Sequence, residues 1–147
     1  MEKRRKSREF ALQILYQWEM TQQDAIQTLA RSQELFPGRK KKDGFTEHLI
    51  LGIQEHCKEI DRLIETYSEH WRLDRMTLID RNILRMAIFE LLYCEEIPPK
   101  VTLNEAIDLG KQYGSEDSGS FINGILDRIQ NEAIRKPIKP KFLQKIK

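Results

Sequence analysis

Apolar residues along this chain recur at three- and four-residue intervals, and strand-like alternation is nearly absent. Phe10, Ala11, Ile14, Leu15 and Trp18 form one helical stripe, with Ser7 placed to cap it. Ile26, Leu29 and Ala30 mark a shorter helix that ends near Pro37 and Gly38. From Phe45 the series Leu49, Gly52, Ile53, Cys57, Ile60, Leu63, Ile64 and Tyr67 predicts a long amphipathic helix. Its other face, with Glu47, Glu55, Lys58, Glu59, Arg62 and Glu65, is expected to be solvated. Trp71, Leu73 and Met76 read as a packed connection. Thr77 with Asp80 resembles a capping box and opens the most apolar segment, Leu78 to Tyr93, the expected central helix. Pro98 and Pro99 break the chain, Thr102 with Glu105 gives a second capping box, and Gly114 suits that helix's end. Phe121, Ile125, Leu126, Ile129 and Ala133 predict a last helix closed by Pro137. The fold class is all-α, with six or seven helices and short loops.

Charge changes this picture by its placement. The formal net charge of the 147 residues is only +2. Yet residues 1–8, 39–42 and 135–147 hold 15 of the 25 Lys and Arg and one of the 23 acidic residues. The remainder carries 10 basic against 22 acidic residues, an acidic body with basic appendages. The expected organisation is a basic arm over residues 1–8, a helical domain over 9–134 and a basic, mobile tail over 135–147. A chain of this size removes roughly 70% of its unfolded surface from water as a single domain. Such a charge distribution suits a polyanion at the arms and a basic protein on the body.

Several function classes drop out. Cys57 and Cys94 have no paired spacing and sit in apolar helical contexts, so they read as buried thiols of a cytoplasmic protein. No stretch approaches the ~18 uninterrupted apolar residues of a membrane span. Gln13, Gln17 and Glu19 interrupt what would otherwise be a signal peptide's apolar core. Of His48, His56 and His70, none has a glutamate three residues before it, and no Cys-x-x-Cys exists, so no metal site is expected. The serines of the Ser115 to Ser120 loop have no neighbouring histidine, and no phosphate-cradling glycine loop appears. The adjacent acids Glu95-Glu96 and Glu116-Asp117 read as solvated charge rather than an acid–base pair. The sequence argues against an enzyme and implies no cofactor.

Two features point to RNA. Arg4 and Arg8 fall on one face of a helix extended backward from Phe10, and guanidinium forks match phosphate oxygens. Phe121, beside the polar loop Gly114 to Ser120, offers a ring on which an unpaired base can stack. The plainer alternatives are a solubility tail for the arm and a core anchor for Phe121. A basic helix lying on an anionic membrane is a further alternative, opposed by Glu9 and Glu19 in the same helix.

With those residues in hand, the chain resembles the NusB family of bacterial antitermination factors. The resemblance rests on Arg4 to Glu9 with Gln13 to Tyr16, on Glu59 to Ile64, and on Trp71 to Arg75. It continues through Asp80 to Leu91, Val101 to Leu109 and Phe121 to Leu126. It implies an all-helical protein of two small packed bundles that binds single-stranded boxA RNA of ribosomal RNA leaders. It also implies that NusE, a small-subunit ribosomal protein, is the partner with which it joins an antitermination complex on RNA polymerase. By position, Arg4, Arg5 and Arg8 fall on the family's RNA-binding arm, Phe121 on its RNA-contacting aromatic, and Asp117 in the adjoining loop. Tyr16, Asp80 and Arg85 match positions near the NusE-facing surface. Ser120 stands where many members have lysine, and Lys6 interrupts the arginines, so some phosphate contacts are weakened. The competing function is a non-specific RNA-binding or ribosome-associated protein. Monomer and homodimer both stay open for the free state.

Overall fold

A computed structural model describes residues 2–35, 44–68 and 72–134. Among them lie six α-helices, a 3-10 turn, a π-helical turn and no strand, in agreement with the all-α expectation. The basic run Arg39 to Lys42, Trp71 and the tail from Arg135 lie outside the described residues. The chain divides into two units, Met1–Cys57 and Lys58–Lys147.

In the first unit α1 spans Glu2–Thr21, α2 spans Ala25–Leu35, and α3 begins at Gly44 and runs on to Tyr67. α1 starts well before Ser7, so Ser7 is no cap; it is buried inside the helix, and its carbonyl accepts the Thr46 hydroxyl at 3.0 Å. Phe10, Ala11, Ile14 and Leu15 are buried as the stripe requires, and Leu12 joins them. Asp24 caps α2 by accepting the Ile26 and Gln27 amides at 3.1 and 3.2 Å. The buried face of α2 is Ala25, Thr28 and Leu29, one position earlier than expected, with Ile26 half-buried and Ala30 exposed. α3 is not one continuous helix, because His56 takes φ −108° and ψ 20°.

The second unit holds the last turns of α3, the 3-10 turn Leu73–Arg75, α4 (Leu78–Tyr93), α5 (Pro99–Tyr113), α6 (Ser118–Arg128) and the π-helical turn Ile129–Ile134. α4 is the central element: every residue from Asn82 to Glu90 is buried. A helix buried on all sides needs its polar groups satisfied. Arg85 forks onto Asp61, Asn82 donates to the Leu78 carbonyl at 2.9 Å, and Glu90 accepts the Thr102 hydroxyl at 2.9 Å. Thr102 therefore does not cap α5. That helix starts at Pro99, with Pro98 before it, and Thr102 faces inward one turn later. Glu59, expected in water, is half-buried and accepts the Tyr93 hydroxyl at 2.7 Å. Cys94 is buried, whereas Cys57 is only half-buried.

α5 and α6 approach closely because glycines line the contact. A Cβ on Gly110 would sit 2.8 Å from Ile122 Cδ1, and one on Gly119 would sit 3.1 Å from Lys111 Cγ. Gly124, on α6, is different: it is exposed, and nothing lies within 4 Å of an added Cβ. Gly124→Ala is therefore expected to stabilise the protein by about 0.5–1 kcal/mol through helix propensity alone. A urea midpoint that did not rise would show that the position is under some other constraint.

Candidate functional site

In the first unit the arginine-rich segment is the first two turns of α1. Four-residue spacing places Arg4 and Arg8 on one helix face. Both reach the same aromatic ring, the Arg4 Cζ lying 5.0 Å and the Arg8 Cζ 5.4 Å from the centroid of Phe45. Arg5 and Lys6 are exposed, Arg4 is half-buried, and Arg8 is only 3% exposed. Arg8 thus departs from a simple phosphate ligand at the surface, since most of its side chain is committed within the protein. Tyr16, two turns further along α1, is 37% exposed, and Met20 one turn beyond is 60% exposed.

In the second unit, Phe121, Asp117 and Asp80 line one cavity of about 230 Å³, together with Arg75, Met76, Thr77 and Ser115. Its walls come from two helix starts. Thr77 caps α4, its hydroxyl accepting the Asp80 amide at 3.1 Å, so the expected capping box has this half. The loop after α5 is tied by the Ser115 amide donating to Ser118 Oγ at 2.9 Å and the Ser118 amide donating to the Ser115 carbonyl at 3.1 Å. α6 then begins at Ser118, inside the loop that the sequence pattern extends to Ser120, and the Phe121 amide donates to the Asp117 carbonyl at 3.0 Å. Phe121 is half-buried and Asp117 exposed. A ring held at its base with one portion in solvent can receive a flat ligand, as base stacking needs. Asp80 is 8% exposed, and its Oδ1 has no hydrogen-bond partner among the described residues. Arg75 adds an exposed cation beside Phe121 that spacing alone gave no reason to select.

Arg85 lies elsewhere. It is 4% exposed and donates to Asp61 through Nε at 2.8 Å and Nη2 at 3.0 Å, and to Asn82 through Nη1 at 3.1 Å. This is a buried anchor for α4. Among the described residues no group of three or more His, Cys, Asp and Glu is placed to hold a metal ion. None of the described helices is long and apolar enough to cross a membrane.

Comparison with known proteins assigns these elements. Residues 5–131 match the model of the NusB family. The transcription antitermination protein NusB of Myxococcus xanthus is 48% identical over 138 residues, covering 91% of this chain and 98% of that protein. The solved structure of T. maritima NusB superposes with a TM-score of 0.80 at 42% identity, covering 88% of this chain and 91% of the other. A crystal structure of antitermination factors NusB and NusE in complex with dsRNA matches with a TM-score of 0.78 at 29% identity, covering 89% and 98%. Sequence, length and fold agree over nearly all of the described residues, and this chain belongs to the NusB family.

Proposed function

We propose that this protein is a non-enzymatic transcription antitermination factor that binds RNA together with NusE. The observation that carries the reading is the match over residues 5–131 to proteins named for antitermination. A structural neighbour solved with NusE and dsRNA supports both partners. In the finer form, the RNA is a single-stranded boxA-type element, and the complex assembles on RNA polymerase in the cytoplasm. Arg4 and Arg5 meet phosphates at the start of α1, while Arg8 contributes through the ring it shares with Arg4. Phe121 stacks an unpaired base, and Asp117 shapes the loop beside it. Tyr16 in the first unit and Asp80 in the second each meet NusE, a basic partner suited to an acidic body, and Arg85 contributes by fixing α4, the helix that carries Asp80.

Binding of a labelled boxA-like strand, with and without NusE and against a scrambled strand, tests this reading. Preference for boxA that sharpens with NusE is expected. Phe121→Ala is expected to weaken RNA binding by about 1–3 kcal/mol, the value of one stacked base. Equal binding to both strands, indifferent to NusE, would leave a general polyanion binder and remove the antitermination role.

A further inference from the structure

We propose that Phe45 is a positioning residue for RNA binding, its ring holding the Arg4 and Arg8 guanidinium groups in place before RNA arrives. This rests on the reading that the first turns of α1 meet RNA. Phe45 belongs to the apolar stripe of α3, yet it is only half-buried, whereas Leu49 and Ile53 further along the helix are fully buried. A ring whose main duty was packing would be enclosed as they are. Instead two arginines converge on it, at 5.0 and 5.4 Å from its centroid. Their positive charges repel one another, and the negative face of an aromatic ring offsets that repulsion where water is partly excluded. The next residue, Thr46, donates its buried hydroxyl to the Ser7 carbonyl at 3.0 Å, which fixes the first turn of α3 against α1 beside the ring. Backbone clamp and ring together set where the arginine side chains lie. An Arg4 side chain already ordered on the ring, with buried Arg8 braced beside it, loses less conformational entropy when it meets phosphate, so affinity rises without any new contact to RNA.

The experiment compares wild type, Phe45→Leu, Phe45→Met, Phe45→Trp, Arg4→Ala and Arg5→Ala for binding of a labelled single-stranded RNA across a salt series. Phe45→Leu is expected to bind about fivefold more weakly, the size of one or two cation–π contacts. Its salt slope should match wild type, because no charge has been removed. Phe45→Trp should keep wild-type affinity, and Phe45→Met, the second ring deletion should leucine perturb the fold, should show the same roughly fivefold loss. Arg5→Ala, by contrast, should flatten the slope by about 0.7, one phosphate on a single strand. A readout without RNA is the side-chain δ-proton NMR shift of Arg4 and Arg8, displaced by the ring in wild type and relaxed in Phe45→Leu. Undisplaced shifts in wild type, or Phe45→Leu at wild-type affinity while Arg5→Ala is weakened, would overturn the positioning role alone. Wild-type binding by both Arg4→Ala and Arg5→Ala would overturn the RNA reading beneath it.

Discussion

Asp61→Ala is expected to cost about 3 kcal/mol of stability, the largest loss anticipated for any single side chain here. Arg85 on α4 is only 5% exposed by its side chain, and its guanidinium forks onto both Asp61 oxygens at 2.8 and 3.0 Å. Removing the carboxylate leaves a buried cation that still donates to Asn82 Oδ1 at 3.1 Å but has lost its counter-charge. Breaking a buried pair costs about 3–5 kcal/mol because the surviving charge is left desolvated. The lower end applies, since the Asp61 side chain is 21% exposed and part of its field is screened by water. The converse change, Arg85→Met, should cost less: Asp61 can rehydrate where it stands, and methionine fills the apolar interior of α4. Combining Arg85→Met with Asp61→Leu should recover most of the loss of Asp61→Ala. Urea midpoints at unchanged m-value read these differences. Asp61→Ala within about 1 kcal/mol of wild type would mean that the guanidinium finds water, and that α4 is less tightly enclosed than its burial indicates.

The same pair shows what the sequence could and could not disclose. The apolar run from Leu78 to Tyr93 announces a central helix, because a helix buried on all sides is apolar around most of its surface. Thr77 as its cap is equally legible, since a cap and its amide are three residues apart. Partners far apart in the chain leave no such trace. Glu59 sits on the polar face of α3 and looks solvated, yet the Tyr93 hydroxyl, 34 positions on, draws it inward. Thr102 has the residue type and the spacing of a cap, and its actual partner is the buried Glu90. In α2 the few apolar residues specify the inward face only loosely, and Leu29 is joined there by Ala25 and Thr28, while Ile26 is half-buried and Ala30 exposed. The candidate site divides in the same way. Helical spacing gave Arg4 and Arg8 a common face, but only the tertiary fold supplies the ring that both of them meet. Phe121 could be singled out as an aromatic beside a polar loop, whereas Asp117 was singled out only by the family resemblance. Their cavity neighbours Arg75 and Thr77 were not, because they come from the other side of α4 and α5 in the chain.

Gly114→Ala is expected to cost about 2 kcal/mol and to weaken RNA binding at the Phe121 surface as well, through crowding rather than through backbone conformation. Gly114 ends α5 with φ −98° and ψ −157°, an extended geometry open to any residue, so the usual left-handed argument for a glycine cap does not apply. What excludes a side chain is space. An added Cβ would collide with Ser118 Oγ and lie 2.8 Å from the Gly110 carbonyl oxygen. Neither obstacle yields easily. The Gly110 oxygen belongs to the last turn of α5 and accepts the Gly114 amide at 2.9 Å, while Ser118 Oγ accepts the Ser115 amide at 2.9 Å. Displacing Ser118 therefore unties the loop that starts α6, and Phe121 is the fourth residue of that helix. The mutation should lower the urea midpoint and weaken RNA binding together, whereas Gly124→Ala, on α6 with open space around it, should raise the midpoint. A Gly114→Ala protein with wild-type stability and lowered RNA affinity would show that the loop can move aside at little cost, and that its posture serves binding alone. Full retention of both would mean that the close approach of α5 and α6 does not set where Phe121 stands.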